Sequence, residues 1–269
     1  MLKRVYLEIT NSCNLNCPFC TNEKGNRFLD INDIKNYLDQ IKPYCDYVYL
    51  HILGEPLLHP NFNEILDYLD EKQFNLQLVT NGTLLNRYKD ILIHKCLRKL
   101  SISVHSINHQ NVNNDYFETI DYLIENNKTN LELRFYDYDS LDDKLITYLE
   151  RLKNTYYFEL TEKTNSYKLK ENTYIYFQDL FDWPSMNDPI INDIGTCHGA
   201  IDMIGINSNS DVTICCLDPK AINKIGNMKK DSLATILNSN AYKQYILDIN
   251  NHKLSSPLCQ RCKYRLRFK

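Results

Sequence analysis

Three cysteines fall within eight residues near the start of the chain, in Cys13-Asn-Leu-Asn-Cys17-Pro-Phe-Cys20. A loop that short can wrap three thiolates around one face of a cubane [4Fe–4S] cluster, leaving the fourth iron open to another ligand. A zinc ion would want a fourth donor close by, and no histidine follows within the loop. A second group, Cys197, Cys215, Cys216, Cys259 and Cys262, lies in the last third. A distant pair completed by C-x2-C, here Cys259-Gln-Arg-Cys262, is a general tetrathiolate pattern, open to zinc as well as to iron–sulfur. Cys45 and Cys96 stand alone and read as small buried hydrophobes. Ten cysteines in a chain whose start shows no export signal place the thiols in a reducing compartment, so the expected location is the cytoplasm.

The elements that must hold these thiols alternate strand and helix over the first 160 residues. Apolar or alternating runs predict strands at Val5–Thr10, Tyr47–Leu53, Asn75–Thr80, Lys99–His105, Asn130–Phe135 and Tyr156–Leu160. Between them lie helical patterns, among them Ile31–Ile41 behind an Asp30 cap and a face carrying Phe62, Ile65, Leu66 and Leu69. Six such units predict a parallel sheet. On the fourth strand Leu100, Ile102 and Val104 share one face, while Ser101, Ser103 and His105 share the other. Glu132 and Arg134 on the fifth strand, and Glu8 and Thr10 on the first, repeat the pattern. Central parallel strands normally bury two apolar faces, so one polar face on three strands points to a hollow, ligand-lined interior. The expected fold is α/β, a partial (β/α)6 TIM-type barrel with a small C-terminal α+β domain. A hairpin at Met203–Asn207 and Val212–Cys215 and short helices at Leu233–Leu237 and Ala241–Leu247 mark the second part. The expected boundary divides residues 1–190 from 191–269.

Composition narrows the partners. A net charge of −3 and the lack of a basic stripe give no reason to expect nucleic acid. No apolar stretch approaches the roughly 20 residues of a membrane helix.

C-x3-C-x2-C after the first strand resembles the signature of the radical S-adenosylmethionine (SAM) superfamily, and Phe19 matches its usual aromatic position. Leu53-Gly54-Glu55-Pro56 resembles the family's Gly-Gly-Glu motif, with Leu53 where the first glycine is usual; the resemblance assigns Gly54 and Glu55 to the methionine amino group. Thr80-Asn81-Gly82 at the end of strand three is another recurrent feature. Ser103 and Arg134 look like the groups that reach the ribose and the methionine carboxylate. The resemblance implies that Cys13, Cys17 and Cys20 hold a [4Fe–4S] cluster whose open iron chelates SAM. One electron then cleaves the sulfonium to a 5′-deoxyadenosyl radical, which abstracts a substrate hydrogen.

The second cysteine group resembles the twitch domain, a small relative of the SPASM domain. Ile225-Gly226-Asn227-Met228, Ser232-Leu233 and Pro257-Leu258-Cys259 match phrases that recur there. The resemblance implies one auxiliary [4Fe–4S] cluster on Cys197, Cys215, Cys259 and Cys262, with Cys215 favoured over Cys216 and Ser210 standing where a glycine is usual. Two reactions fit. One is oxidation of a small molecule, an alcohol or sugar, with the auxiliary cluster accepting the second electron. The other is modification of a ribosomal peptide by crosslinking, thioether formation or epimerisation. Either implies an electron donor such as flavodoxin or ferredoxin. His51, His105, Glu132, Asp182 and Trp183 are candidates to face substrate.

Overall fold

In the computed structural model, which describes residues 2–21, 25–113, 115–161, 165–179 and 182–268, the first strand β1 (Arg4–Leu7) runs directly into the cysteine loop. Helix α1 (Ile31–Ile41) follows, started by the Asp30 carboxylate, which accepts a hydrogen bond from the Asn32 amide at 2.8 Å. Its buried face is Ile34, Tyr37, Leu38 and Ile41, at the three-and-four spacing of an amphipathic helix. After β2 (Tyr47–Tyr49), helix α2 (Phe62–Glu71) buries the four residues expected from the sequence, Phe62, Ile65, Leu66 and Leu69. Strands β3 (Asn75–Thr80) and β4 (Leu97–Ser103) are joined through a 3-10 segment, Leu85–Ile93, and not through a regular α-helix. Helix α3 (Tyr116–Asn126), strand β5 (Asn130–Tyr136) and helix α4 (Asp143–Tyr156) complete the regular alternation.

One expected strand is absent from its place. Tyr156 closes α4, and Tyr157 takes a left-handed conformation (φ 54°) that ends the helix, so Tyr156–Leu160 forms no strand. The sixth barrel strand is β7 (Thr173–Gln178), entered through an antiparallel hairpin with β6 (Ser166–Lys170). Both segments alternate apolar and polar residues. The second can lie in register along the free edge of β5, from Leu131 beside Thr173 to Tyr136 beside Gln178.

The remaining strands are β8 (Met203–Ile206), β9 (Asp211–Thr213) and β10 (Lys224–Asn227), followed by α5 (Leu233–Leu237), α6 (Asn240–Asn250) and α7 (Pro257–Arg261). All ten strands form one sheet in the order β10-β9-β8-β1-β2-β3-β4-β5-β7-β6. The run β8 to β7 is parallel throughout. This is the partial barrel expected from the sequence, extended at β1 by the C-terminal hairpin.

The division of faces also follows the sequence pattern. Val5, Leu7, Leu76, Leu78, Leu100, Ile102, Leu131, Leu133 and Phe135 are buried against the helices. Ser103 and Arg134 turn to an open cavity, while Ser101 and Glu132 are hydrogen-bonded to each other. Among the described residues no helix is long and apolar enough to cross a membrane.

Candidate active site

The cysteine loop is tied to its neighbours before any ligand is considered. Thr10 Oγ1 accepts from the Ser12 amide at 3.0 Å, and the Ser12 carbonyl accepts from the Glu55 amide at 2.8 Å. Asn81 Nδ2 donates to Asn14 Oδ1 at 3.0 Å and approaches Cys13 Sγ at 3.8 Å, while Cys17 Sγ reaches the Ser106 carbonyl at 3.5 Å. Gly54 makes this closeness possible. Its φ is +77°, and a Cβ there would lie 2.9 Å from the Ser12 carbonyl oxygen and closer still to that of Thr10. Gly54→Ala should therefore push the cysteine loop off β2. We expect a stability loss of about 2 kcal/mol or more and weaker cluster retention, read by melting temperature and iron content. An unchanged melting temperature would contradict it.

Glu55 is 2% exposed, and its oxygens are largely engaged. Oε1 accepts from the Leu57 amide (3.0 Å) and the Thr80 hydroxyl (2.8 Å), and Oε2 from the Asn81 amide (2.7 Å). A carboxylate has about four acceptor sites, so one remains for an outside donor such as an ammonium. Burial pushes its carboxyl up to about 7, against the pull of those three donors. Glu55 thus has a second role that the sequence did not reveal: it clamps the end of β2 to the end of β3.

Across the barrel, Arg134 Nη2 donates to Ser103 Oγ at 2.5 Å, and Nη1 to the Tyr136 hydroxyl at 3.4 Å, while its buried Nε has no partner. Arg134 does not neutralise Glu132, whose carboxylate is taken by Ser101 (2.8 Å) and Lys99. Nor does it reach Glu8, which accepts from Leu53 and twice from Ser208. His105 lies beyond β4, in a 3-10 turn, stacked on Tyr136 at 3.8 Å and beside Phe19 at 5.4 Å. Burial holds His105 and His51 neutral, each pushed down to about 3.

One open cavity of about 570 Å3 gathers these groups. Phe19, Gly54, Glu55, Thr80, Asn81, Ser103 and Arg134 all line it, together with Cys13, Cys17 and Cys20. Cys197, Cys215 and Cys262 line the same cavity from the C-terminal side. Its volume falls within the roughly 300–1,000 Å3 typical of a ligand pocket. Of the side chains expected to face substrate, His51, His105 and Trp183 line this cavity. Glu132 and Asp182 do not: the first serves Ser101 and Lys99, and the second pairs with Lys263 at 2.7 Å. Sequence reasoning missed Arg4, Tyr6, Tyr136 and Cys216 on the lining. The alternation Arg4, Tyr6, Glu8 on β1 was the available signal for the first two.

The radical SAM superfamily model matches residues 7–164, and an iron–sulfur cluster-binding domain model (SPASM) matches residues 197–263. The chain belongs to the radical SAM superfamily. The curated relatives include a tungsten-containing aldehyde ferredoxin oxidoreductase cofactor-modifying protein of Pyrococcus furiosus. It is 35% identical over 91 residues, covering 31% of this chain and 25% of that one. The antilisterial bacteriocin subtilosin biosynthesis protein AlbA of Bacillus subtilis is 33% identical over 110 residues, covering 38% and 24%. The chain thus aligns with only about a quarter of the length of each. Among solved structures, BtrN in complex with AdoMet and 2-DOIA aligns over 98% of this chain and 93% of its own, with TM-score 0.58 and 16% identity. Streptococcus suis SuiB bound to S-adenosylmethionine aligns over 98% and 70%, with TM-score 0.63 and 17% identity. At such identities the likeness is one of fold.

As a radical SAM protein the chain uses a [4Fe–4S] cluster with SAM, and its SPASM match adds auxiliary iron–sulfur binding. The residues present fit both groups. For the first, three thiols stand on one loop beside the unpartnered Arg134 Nε and the Gly54 cradle. For the second, Cys197, Cys215, Cys259 and Cys262 line a small second cavity of about 40 Å3 with Ile214, Leu217, Leu254 and Leu258. Among the described residues no three thiol, imidazole or carboxylate groups converge tightly enough to hold a single ion. The four thiols instead surround a space. Burial pushes Cys197 up to about 11 and Cys259 up to about 12, so without a metal both are neutral thiols in apolar surroundings. Cys216 faces away from that space, with Sγ 4.0 Å from Met203 Sδ, and lines the large cavity.

Polar hydrogens point at the second group of sulfurs. The Gly199 amide donates to Cys197 and the Leu217 amide to Cys215, each at 3.3 Å, and Asn223 Nδ2 to Cys259 at 3.7 Å. Ser256 donates to the Asn223 carbonyl, which fixes which end of the amide meets the sulfur. Donors to cluster sulfurs stabilise the reduced, more negative state. Asn223→Leu should lower the midpoint potential of the second cluster in a titration followed by EPR, with iron content unchanged. A potential equal to wild type would show that the amide does not donate.

Proposed function

We propose that this chain abstracts a hydrogen atom from a small molecule, an alcohol or sugar, and completes its oxidation by passing the second electron to one auxiliary [4Fe–4S] cluster. The observation that carries this reading is the shared cavity: Cys13, Cys17 and Cys20 line one side, Cys197, Cys215 and Cys262 the other. A substrate between them would touch both redox groups.

Cys13, Cys17 and Cys20 would hold the first cluster, and Cys197, Cys215, Cys259 and Cys262 the second, with residues 191–269 forming the unit that carries it. When bound, SAM at the first cluster supplies a 5′-deoxyadenosyl radical able to take a hydrogen atom from carbon. The protein's part is placement. Arg134, with its Nε unspent and Ser103 bracing it, suits the methionine carboxylate. Gly54 and the remaining acceptor site of Glu55 suit the ammonium. Phe19, His105 and Tyr136 form a stacked, neutral wall that keeps water from the reacting centre. Four thiols around the second space leave no open iron for a substrate ligand, which favours electron transfer there. An external donor such as flavodoxin or ferredoxin would supply the first electron.

Modification of a ribosomal peptide is the second reading, favoured by the likeness in fold to SuiB and the match to the AlbA protein. Anaerobic turnover of the reconstituted protein with a panel of deuterated sugar alcohols separates the two. Oxidation predicts deuterium in 5′-deoxyadenosine, one carbonyl product per SAM consumed, and a reduced auxiliary-cluster EPR signal. Deuterium transfer only from peptide substrates would overturn it.

A further inference from the structure

The wall of the large cavity built from β8, β1 and β2 carries a positive charge that the chemistry described so far does not use. Arg4 and Tyr6 face the cavity from β1, with His51 beyond β2 and Met203 and Cys216 on the β8 side. Tyr6 stacks on Tyr49 with ring centroids 4.5 Å apart, and Tyr49 gives its hydroxyl to Gln77 Oε1 at 2.6 Å. The Arg4 guanidinium is hydrogen-bonded to the Tyr49 phenol and stands beside Tyr6 and Cys216, and among the described residues no carboxylate is paired with it. Its Nε is buried without a hydrogen-bond partner. Guanidinium groups drawn into protein interiors are ordinarily paired. Arg4 is half-buried, faces ligand space, and among the described residues has no counter-ion.

The other cations on the lining are accounted for. Arg265 is spent on the carbonyls of Cys259, Ile194 and Asn192. Arg267 lies over the Tyr264 ring, 4.9 Å from its centroid. Arg134 is braced on Ser103 and is assigned to the cofactor carboxylate. His51 stands near Tyr6 and Tyr49 with Nδ1 unpartnered, and burial keeps it uncharged, so it adds a hydrogen bond but no second charge.

We propose that the substrate carries a carboxylate, and that Arg4 receives it on the wall of the cavity built from β8, β1 and β2. This rests on reading the cavity as the substrate site. One guanidinium balances a single negative charge and offers a planar fork of donors, the geometry of a carboxylate partner. A phosphate would ask for a second cation on the same wall. Binding there would fix the substrate's orientation, so that one carbon faces the first cysteine group while the second group stands behind it.

The test measures binding without turnover. Benzoate, its neutral isostere benzamide, and inorganic phosphate are titrated into the reconstituted protein with SAM present, followed by ligand-observed NMR. Benzoate should bind at least about tenfold more tightly than either alternative. Arg4→Ala should weaken it by about 10- to 100-fold, the value of a charge-assisted hydrogen-bonded pair. Arg4→Lys, which keeps the charge but loses the fork, should weaken it less and guards against a folding defect in the alanine variant. Lys263→Ala, outside the cavity lining, should bind benzoate as wild type does. Benzoate binding that is absent, no better than benzamide or phosphate, or indifferent to both Arg4 variants would overturn the proposal. Benzoate binding intact beside failed oxidation of every alcohol would instead sink the reaction proposed above and leave the carboxylate site standing.

Discussion

Cys17→Ala should bring SAM cleavage down to the uncatalysed background, a loss on the order of 10^6 or more if this enzyme accelerates its reaction as enzymes typically do. The reason is coordination and not folding. Cys17 is half-exposed on a loop, and its one polar contact is the Ser106 carbonyl. Burial and the neighbouring Cys13 and Cys20 push its thiol up to about 12, so the isolated side chain offers no thiolate at neutral pH. Only metal binding draws out that proton, and with two thiols remaining the cluster loses a corner. Iron should fall by about half, the second cluster should keep its EPR signal, and the melting temperature should move little. Cleavage surviving in Cys17→Ala would remove that residue from the ligand set.

Cys259→Ala should have a different signature. Cys259 lies in α7, beside buried Leu258, on the apolar cavity that the second thiol group surrounds. Helix α7 is five residues long, started by the Ser256 hydroxyl and Pro257, and too short to be stable without its surroundings. A cluster there cross-links segments far apart in sequence, since Cys197, Cys215 and Cys262 line the same cavity. Losing one ligand should release the second cluster and destabilise the C-terminal region by several kcal/mol. Each 1 kcal/mol is worth about 2–4 °C in a chain of this size, so a fall of roughly 10 °C is expected. Abortive SAM cleavage should persist within about tenfold, while the oxidised product disappears. Full product formation in Cys259→Ala would mean that the second cluster takes no electron from substrate.

Much of the barrel could be read from the sequence because its signals are local. The C-x3-C-x2-C spacing, the Asp30 cap and the Phe62–Leu69 face each sit within one or two turns of chain. The polar lumen was also visible, because Ser101, Ser103, Glu132 and Arg134 alternate with leucine and isoleucine. What escaped depends on pairings over long distances. Tyr156–Leu160 and Thr173–Gln178 look alike as short alternating runs, and only the free edge of β5 decides between them. Glu132 looked available for substrate until Lys99 and Ser101 were seen to hold it. Glu55 matched a motif for one purpose, yet three donors, from Leu57, Thr80 and Asn81, give it a structural one. Arg4 and Cys216 are 212 residues apart in sequence and meet only because β8 pairs with β1.

The proposed oxidation needs one cavity lying between a SAM-binding cluster and a second, fully ligated one. Anaerobic reconstitution followed by iron, sulfide and zinc analysis, with EPR before and after SAM, tests it most directly. The account predicts about eight irons per chain, no zinc, and two reduced-cluster signals of which SAM perturbs one. Four irons with one zinc, or SAM perturbing both signals or neither, would contradict it.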